Sequence, residues 1–281
     1  AKNSDSTLLE LTKSLLHKLP ENLNTDRGHP ELFVKAEYGL IPSLSTVLLQ
    51  EVDKYNILLS QVRNSLKQLR KAIKGQVLMS DQLDKTCNQL LNSEVPLAWK
   101  KVAYPSLKPL GSWIQNLKER VEFINNWLTK GTPEVYWLSG FFFPHSFITG
   151  VLQTHSRKYK VPIDDLNFKF EVLENYQERH DGVCVEGLFL DGARWEHNQL
   201  TELQPAQIYC KMPAVHFLPT KEEPDKEFKY ECPVYRTSER AGQLSSTGHS
   251  TNFILSIDLN TEEPPEHWTL RGTALICELS N

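Results

Sequence analysis

Apolar side chains recur at helical spacing along the chain up to about residue 160. The clearest pattern predicts a helix of about eight turns, because its apolar positions are separated alternately by four and three residues. These positions are Leu48, Val52, Tyr55, Leu59, Val62, Leu66, Leu69 and Ile73. We expect Ser43 or Ser45 to cap the start of this helix and Gly75 to end it in a left-handed conformation.

Four further helices are predicted from shorter patterns of the same kind. They cover residues 7–19 before Pro20, residues 81–92 after Ser80, a stretch from Pro109 to Gly131, and a stretch from Pro144 to about Tyr159. A serine at the cap position of the second and a proline at the start of the third and fourth are typical helix beginnings. In the second helix, Leu83, Cys87, Leu90 and Leu91 are expected to face inward.

From Asn167 onward the apolar positions alternate with polar ones. Phe168, Phe170 and Val172 begin this pattern, and later pairs and runs continue it: Val183 and Val185; Val215 and Phe217; Phe228 and Tyr230; Phe253, Leu255, Ile257 and Leu259; and a last strand over 273–279. Such alternation predicts antiparallel strands with one buried and one wet face. Six or seven of them in roughly 115 residues favour a barrel or sandwich. The sequence therefore predicts an α+β fold that changes character near residues 160–166.

An aromatic segment lies between the two patterns. Residues 135–159 read VYWLSGFFFPHSFITGVLQTHSRKY and place six aromatic side chains within twelve positions. This segment resembles the C-terminal region of dynein heavy chains, most closely the axonemal ones. Further segments in the same order support the resemblance over roughly residues 40–281, namely those at 47–80, 95–99, 104–112, 187–195, 212–219 and 232–253, and the final ALICELSN.

The resemblance implies a division of the chain and a role for it. Residues 1–42 would end the sixth AAA+ module of the motor ring, residues 43–165 would form a helical subdomain, and residues 166–281 a β-barrel-like subdomain. The domain would be non-catalytic, would pack on the AAA+ ring and would modulate the motor and its mechanical coupling. Its partners would be the other AAA+ modules of the same heavy chain, and microtubules only through the parent chain. ATP and Mg²⁺ would bind upstream, and the motor would work in the axoneme of a cilium or flagellum.

Composition narrows the classes of partner. The chain has 281 residues, 40% of them hydrophobic, and a net charge of −4. This charge gives no general attraction to nucleic acid or to anionic membranes. No apolar run approaches the roughly 18 residues of a membrane helix, no secretory signal is visible, and the absent initiator Met favours a fragment of a longer chain. Five scattered cysteines without a C-x-x-C pair are expected to be free thiols in a reducing cytosol.

Several side-chain groups could carry chemistry, but their spacing does not favour it. The motif G-x-x-x-x-G-K-[ST] does not occur, so we expect no ATP hydrolysis by this chain alone. His197, His216 and His249 lack the spacing of a metal site. The Ser/His-rich stretch Ser245–Asn252 is expected to be a hydrogen-bonded loop rather than a catalytic triad. Asp164, Asp165 and Asp191 are possible acid/base carboxylates, although Asp191 before Gly192 suits a turn.

The remaining candidates are interface residues. The aromatic side chains are expected to pack between the helical and β portions, with Trp137 and at least two of Phe141, Phe142 and Phe143 buried; exposure would indicate a partner surface instead. The basic end of the last helix is either a solvated helix end or a contact with a neighbouring ring module. The full set is Trp137, Phe141, Phe142, Phe143, Phe147, Arg157 and Lys158. The alternative interpretation is an independent all-β ligand-binding module with a helical oligomerisation arm; a hydrolase using the Ser/His stretch is a third.

Overall fold

The computed structural model describes residues 2–175, 177–241 and 252–281. Within this part of the sequence, helices dominate the first half and strands the second, which confirms the α+β class. The helices are α1 (Lys2–Lys18), α2 (Ser43–Ile73), α3 (Asp81–Leu91), α4 (Leu97–Lys100), α5 (Leu110–Lys130), α6 (Pro144–Tyr159) and α7 (Pro265–Leu270). The strands are β1 (Val135–Trp137), β2 (Asn167–Val172), β3 (Val183–Glu186), β4 (Phe189–Asp191), β5 (Arg194–Glu196), β6 (Gln199–Thr201), β7 (Tyr209–Lys211), β8 (Val215–Thr220), β9 (Lys229–Thr237), β10 (Phe253–Asn260) and β11 (Ala274–Glu278).

The protein forms two compact units. The helical unit comprises Ala1–Glu31, Leu48–Gly131 and Ser280–Asn281. The mixed unit comprises Leu32–Val47 and Thr132–Leu279. The change from helices to strands falls near residues 160–166, whereas these compact units part near residue 131. The three-part division implied by the dynein resemblance, with residues 1–42 ending an AAA+ module, stays a prediction.

The core of the helical unit forms around α2. Seven of the eight predicted apolar positions, from Leu48 to Leu69, are buried, and Ile73 in the last turn is half-buried. Gly75 adopts φ +74° after the helix, and its N–H donates to the Ala72 carbonyl at 3.0 Å, as expected of a left-handed helix end. Arg70 donates to the Leu9 carbonyl at 2.6 Å and so fastens α1 to α2.

The helix ends follow local chemistry, with three differences from the predictions. Ser45 does not cap α2, because its hydroxyl donates to the Leu32 carbonyl instead. Leu91, expected to face inward, is exposed at the end of α3, while Thr86 on the same helix is buried. Helix α1 begins at Lys2 rather than Thr7, since the exposed residues of its first turn leave no apolar period in the sequence.

Ser80 caps α3 as predicted, because its hydroxyl accepts a hydrogen bond from the Leu83 N–H at 3.2 Å. We expect Ser80→Ala to lower the free energy of unfolding of the helical unit by about 0.5–2 kcal/mol, since an N–H of the first turn loses its acceptor. Urea unfolding followed by far-ultraviolet circular dichroism measures the loss. Ser80→Asp keeps an acceptor at the same place and is the control; an equal loss in both variants would contradict the capping role.

The helical unit also contains an aromatic cluster that the sequence did not reveal. The rings of Trp99 and Trp113 stack at a centroid distance of 5.8 Å, and the Tyr104 ring stacks on Trp113 at 6.1 Å. The buried guanidinium of Arg120 lies 3.6 Å from the centroid of the Tyr104 ring and donates to Asn116 Oδ1 at 2.7 Å. Cation–π contact and the hydrogen bond offset the desolvation of this charge.

The described residues of the mixed unit form three sheets. A four-stranded sheet has the order β1-β3-β8-β2, a five-stranded sheet the order β10-β9-β11-β4-β7, and β5 pairs with β6. None of these sheets closes on itself in the described part of the sequence, so the predicted barrel is not confirmed. The pairing is also not purely antiparallel, because β1 runs parallel to β3 and β9 parallel to β11. Alternation of buried and exposed residues indicates a strand but carries no information on the direction of its neighbour.

One strand changes face within its length. The sequence pattern places Phe253, Leu255, Ile257 and Leu259 on one side of β10. The pairing of β10 with β9 shifts between Phe253 and Leu255, and Ile254 is buried whereas Leu255 is half-buried. A bulge of this kind inserts one residue and exchanges the two faces, which explains why the period-two prediction fails at the start of the strand.

Candidate functional site: the aromatic segment and helix α6

The aromatic segment enters the mixed unit as strand β1. Tyr136 pairs in parallel register with Val185, and Trp137 with Glu186 of β3. A short 3₁₀ turn over Leu138–Gly140 follows this strand. Pro144 occupies the first turn of α6, where its missing N–H has no helical partner to lose. The segment therefore connects the sheet edge directly to the helix.

Three aromatic rings of the segment form a buried cluster. The Phe147 ring is fully buried and lies 4.4 Å from the Phe141 ring and 4.9 Å from the Tyr136 ring, measured between centroids. Burial raises the pKa of the Tyr136 phenol far above its usual value, so this group stays neutral. These side chains form packed core rather than a stacking platform open to a ligand.

The outer residues of the segment are placed differently. Phe142 is buried, and its carbonyl accepts a hydrogen bond from Arg236 Nη2 at 2.8 Å. Phe143 precedes α6 and remains 36% exposed. Trp137 is half-buried, and its ring lies so close to Gly187 (φ +87°) that a Cβ there would be 2.4 Å from Trp137 Cδ1. Two of the three phenylalanines are thus buried as expected, Trp137 only partly so, and the role of the set as an interface stays a prediction.

Helix α6 is held by the first turns of α2 and by the segment that precedes it. A Cβ added to Gly150 would lie 3.1 Å from Leu44 Cδ2 and 3.2 Å from Val47 Cγ2, so the absence of a side chain lets these residues approach. Arg157 Nη1 donates to the Ile41 carbonyl at 3.3 Å, and its guanidinium lies 6.0 Å from the Tyr38 ring centroid. The basic end of α6 therefore binds a neighbouring turn of its own unit.

Lys158 and Tyr159 bind a second loop. Lys158 Nζ lies 2.7 Å from Asp181 Oδ1, and the Tyr159 hydroxyl lies 2.6 Å from Asp181 Oδ2. These hydrogen bonds hold the pKa of the Asp181 carboxyl below its usual value, and the one from Lys158 has the larger effect. The hydrogen bond to Asp181 likewise raises the pKa of Lys158. Sequence reasoning missed this cluster, because Asp181 lies 23 residues from Lys158 along the sequence.

The same loop is attached to strand β8. His216 is buried, and its Nε2 lies 2.7 Å from the Asp181 carbonyl oxygen. Gly182, which follows Asp181 in the sequence, has φ +72°, and a Cβ there would lie 2.1 Å from the Phe217 carbonyl oxygen. His216, considered above as a metal ligand, is therefore engaged in a structural hydrogen bond. We refer to Lys158, Tyr159, Asp181, Gly182 and His216 as the α6 clamp.

The clamp predicts a pH-dependent contribution to stability. Because the pKa of Asp181 is lower in the folded state, its stabilising effect is present above the unfolded-state pKa of about 4 and is lost as the pH falls through the folded-state value. We expect Asp181→Asn to be less stable than the unaltered protein at pH 7, and this difference to shrink steadily towards about pH 2. Urea unfolding at a series of pH values measures it. Asp164→Asn, which removes an exposed carboxylate, is the control; a constant difference for Asp181→Asn would contradict the clamp.

Comparison with known proteins identifies the family. The family of C-terminal domains of dynein heavy chains matches residues 1–277. The chain belongs to this family. Human dynein axonemal heavy chain 6 is 41% identical to this dynein domain over 306 aligned residues, which cover 99% of the domain and 7% of that protein. Human dynein axonemal heavy chain 12 is 44% identical over 99% of the domain and 9% of its own length. Mouse dynein axonemal heavy chain 3 is 43% identical over 100% of the domain and 7% of its own length.

The match extends the recognised part of the domain. The resemblance in the sequence covered roughly residues 40–281, whereas the family match begins at residue 1. The domain spans less than a tenth of the length of these curated relatives. Among the residues that the structure describes, no helix has the length and apolar character needed to cross a lipid bilayer.

The other candidate groups of the dynein domain have structural partners, lie exposed at the surface or are not described. No cluster of three or more His, Cys, Asp or Glu side chains suited to a metal is found over residues 2–175, 177–241 and 252–281. Asp191 ends β4 before a turn and lies 2.6 Å from Arg240 Nη2. Asp164 and Asp165 are exposed on a short 3₁₀ turn. Of the stretch Ser245–Asn252, only Asn252 lies within the described residues; it is buried and donates to the Thr237 carbonyl at 3.0 Å.

Burial suppresses the reactivity of two thiols of the dynein domain, those of Cys184 and Cys232. None of the five cysteines forms a disulfide bond, and Cys184, Cys232 and Cys277 are buried. Burial raises the pKa of Cys232 strongly and that of Cys184 to a lesser degree. Thiolate character, on which reactivity depends, is therefore suppressed at both.

Proposed function

We propose that this domain is a non-catalytic, regulatory part of an axonemal dynein heavy chain. It would pack on the AAA+ ring of its parent chain and modulate the coupling between ATP turnover and movement along microtubules. The family match and the axonemal names of its relatives support its place in an axonemal dynein heavy chain. The parent chain would supply ATP and Mg²⁺ binding and the contact with microtubules, and it would work in the axoneme of a cilium or flagellum.

An exposed apolar turn is the observation that supports packing on a partner. Val34 is 63% exposed, Tyr38 61% and Leu40 52%. The turn is ordered by its own backbone, because the Ala36 N–H donates to the Leu40 carbonyl at 2.9 Å. Arg157 of α6 contacts the same turn, as described above. Large apolar side chains presented on a fixed turn are typical of a protein–protein contact.

Regulation would follow from differential contact with the ring. A domain shifts an equilibrium between two states of a partner only by the difference between its interaction free energies with those states. A rigid attachment transmits such a difference better than a loose one. The buried cluster around Phe147 and the α6 clamp supply this rigidity within the mixed unit.

An ATPase assay tests the non-catalytic part of the proposal. The isolated domain is expected to show no turnover with Mg²⁺ and ATP, since the sequence carries no phosphate-binding loop. The intact heavy chain, purified in the same way, serves as the positive control. Turnover by the isolated domain that survives further purification would refute a non-catalytic role.

Motility of the intact motor tests the regulatory part. We expect removal of the whole domain, residues 1–281, from the heavy chain to change velocity, force or run length on microtubules. Because a deletion can disturb folding, the double variant Val34→Asp, Leu40→Asp is measured beside it, since both side chains are exposed and their replacement leaves the core intact. If neither the deletion nor the double variant changed velocity, force or run length, the regulatory role would be refuted.

A further inference from the structure

An apolar groove lies between α3 and α4 of the helical unit. It has a volume of about 630 Å³ and is lined by both helices, with Asp81, Lys85, Thr86 and Gln89 on one side and Leu97 and Lys101 on the other. Gln89 Oε1 accepts a hydrogen bond from the Leu97 N–H at 3.1 Å, which fixes α4 against α3. The groove is therefore a built feature of the fold, and its volume lies in the range of binding clefts.

Exposed apolar side chains lie in the wall of the groove and in the segment that precedes α3 in the sequence. Leu97, in its wall, is 59% exposed. Val77, Leu78 and Met79 immediately precede the Ser80 cap of α3, and Leu78 is 93% exposed. Three consecutive apolar side chains in water, next to an apolar cleft, indicate a surface that is covered in the assembled protein.

The charges around the groove favour an acidic partner. Lys85 and Lys101 both line it, and neither ammonium group has an ion-pair partner among the described residues. Asp81 is the carboxylate in the lining, and the other polar groups there are neutral amides and a hydroxyl. The lining of the groove thus offers two cations against one anion, together with the apolar side chains of Leu97 and Ala98.

We propose that this groove binds a segment of the same heavy chain, outside residues 1–281, that carries a large apolar side chain flanked by carboxylates. The inference rests on the proposed function, in which the domain packs on its parent chain. The relatives are more than ten times longer than this domain, so most of the heavy chain is available as the occupant. Insertion of an apolar anchor into a cleft between helices, with charges at its rim, is a common mode of segment recognition.

Zero-length coupling in the intact heavy chain tests the occupant. A carbodiimide joins an ammonium group directly to a carboxylate with which it is in contact. We expect peptide mapping to find Lys85 and Lys101 joined to Asp or Glu residues of the same heavy chain outside residues 1–281. Lys118, an exposed lysine of α5 away from the groove, is the internal reference. Coupling of Lys85 and Lys101 to a second heavy chain or to another protein, or no coupling at all, would overturn the inference.

Two matched variants separate the groove from general effects on the surface. Leu97→Asp places a carboxylate in the groove and is expected to reduce the coupling yield of Lys85 and Lys101 at least about fivefold, which corresponds to about 1 kcal/mol. Leu270→Asp alters a leucine that is 86% exposed in the mixed unit and is expected to leave the yield unchanged. Equal yields in both variants would contradict the role of the groove.

The two proposals fail in different ways. If other lysines of the domain couple to the rest of the heavy chain while Lys85 and Lys101 do not, packing on the parent chain stands and the groove is not the contact. If no lysine of the domain couples to the rest of the heavy chain, the proposed function fails together with this inference.

Discussion

Replacing Phe147 with alanine is expected to lower the free energy of unfolding of the mixed unit by about 3–5 kcal/mol, the range found for fully buried phenylalanines. Its ring is fully buried and touches two other aromatic rings, Phe141 at 4.4 Å and Tyr136 at 4.9 Å between centroids. Alanine would leave a cavity that these two rings cannot fill without moving, and the Tyr136 ring is held in place by strand β1. Denaturant unfolding followed by tyrosine and tryptophan fluorescence measures the loss.

Phe143→Ala is the matched control for this experiment. Phe143 belongs to the same segment, but it is 36% exposed and its ring lies 6.2 Å from that of Phe142. A partly exposed ring loses less transfer free energy on truncation, so we expect a cost of about 1 kcal/mol or less. If both variants lost the same stability, the assignment of Phe147 to the core and of Phe143 to the surface would be wrong.

Replacing Gly182 with alanine is expected to cost about 2–5 kcal/mol, since two separate penalties add. The residue has φ +72°, a conformation that costs an L-residue with a side chain about 1–2 kcal/mol. A Cβ would also lie 2.1 Å from the Phe217 carbonyl oxygen, and overpacking against backbone costs about 1–3 kcal/mol or more. The strain would separate the Asp181 loop from β8.

Gly39→Ala separates these two penalties. Gly39 lies in the same unit and has a similar φ of +82°, but a Cβ there would meet no atom within 4 Å. It is therefore expected to cost only the conformational term of about 1–2 kcal/mol. Equal losses at Gly39 and Gly182, measured by the same unfolding experiment, would show that the contact with Phe217 does not matter.

The parts of the fold that depend on near neighbours in the sequence were predictable. The apolar stripe of α2, the Ser80 cap, the left-handed Gly75 and the start of α6 at Pro144 are each specified within a few residues. Helical period and capping chemistry are local, so a single sequence carries them. The family was recognisable for a related reason, because the aromatic segment is long and unusual in composition.

The parts that depend on distant residues were not predictable. The parallel pairing of β1 with β3 joins residues about fifty positions apart, and the ion pair of Lys158 with Asp181 crosses a loop. The buried Arg120 is a similar case, since its stability depends on Tyr104 and Asn116 in the folded state. Within the candidate site, the burial of at least two of the three phenylalanines was predicted from composition. Which of them stays exposed was not predicted, because the exposure of Phe143 follows from its place just before α6.

The strand order of the five-stranded sheet has a consequence for synthesis. Strand β11 lies at its centre, between β9 and β4, although it is the last strand in the sequence. Until residues 274–278 have left the ribosome, β9 and β4 lack the neighbour that separates them and expose unpaired backbone. This sheet must therefore complete its folding late, and a premature stop codon before residue 274 would leave its two halves without the strand that joins them.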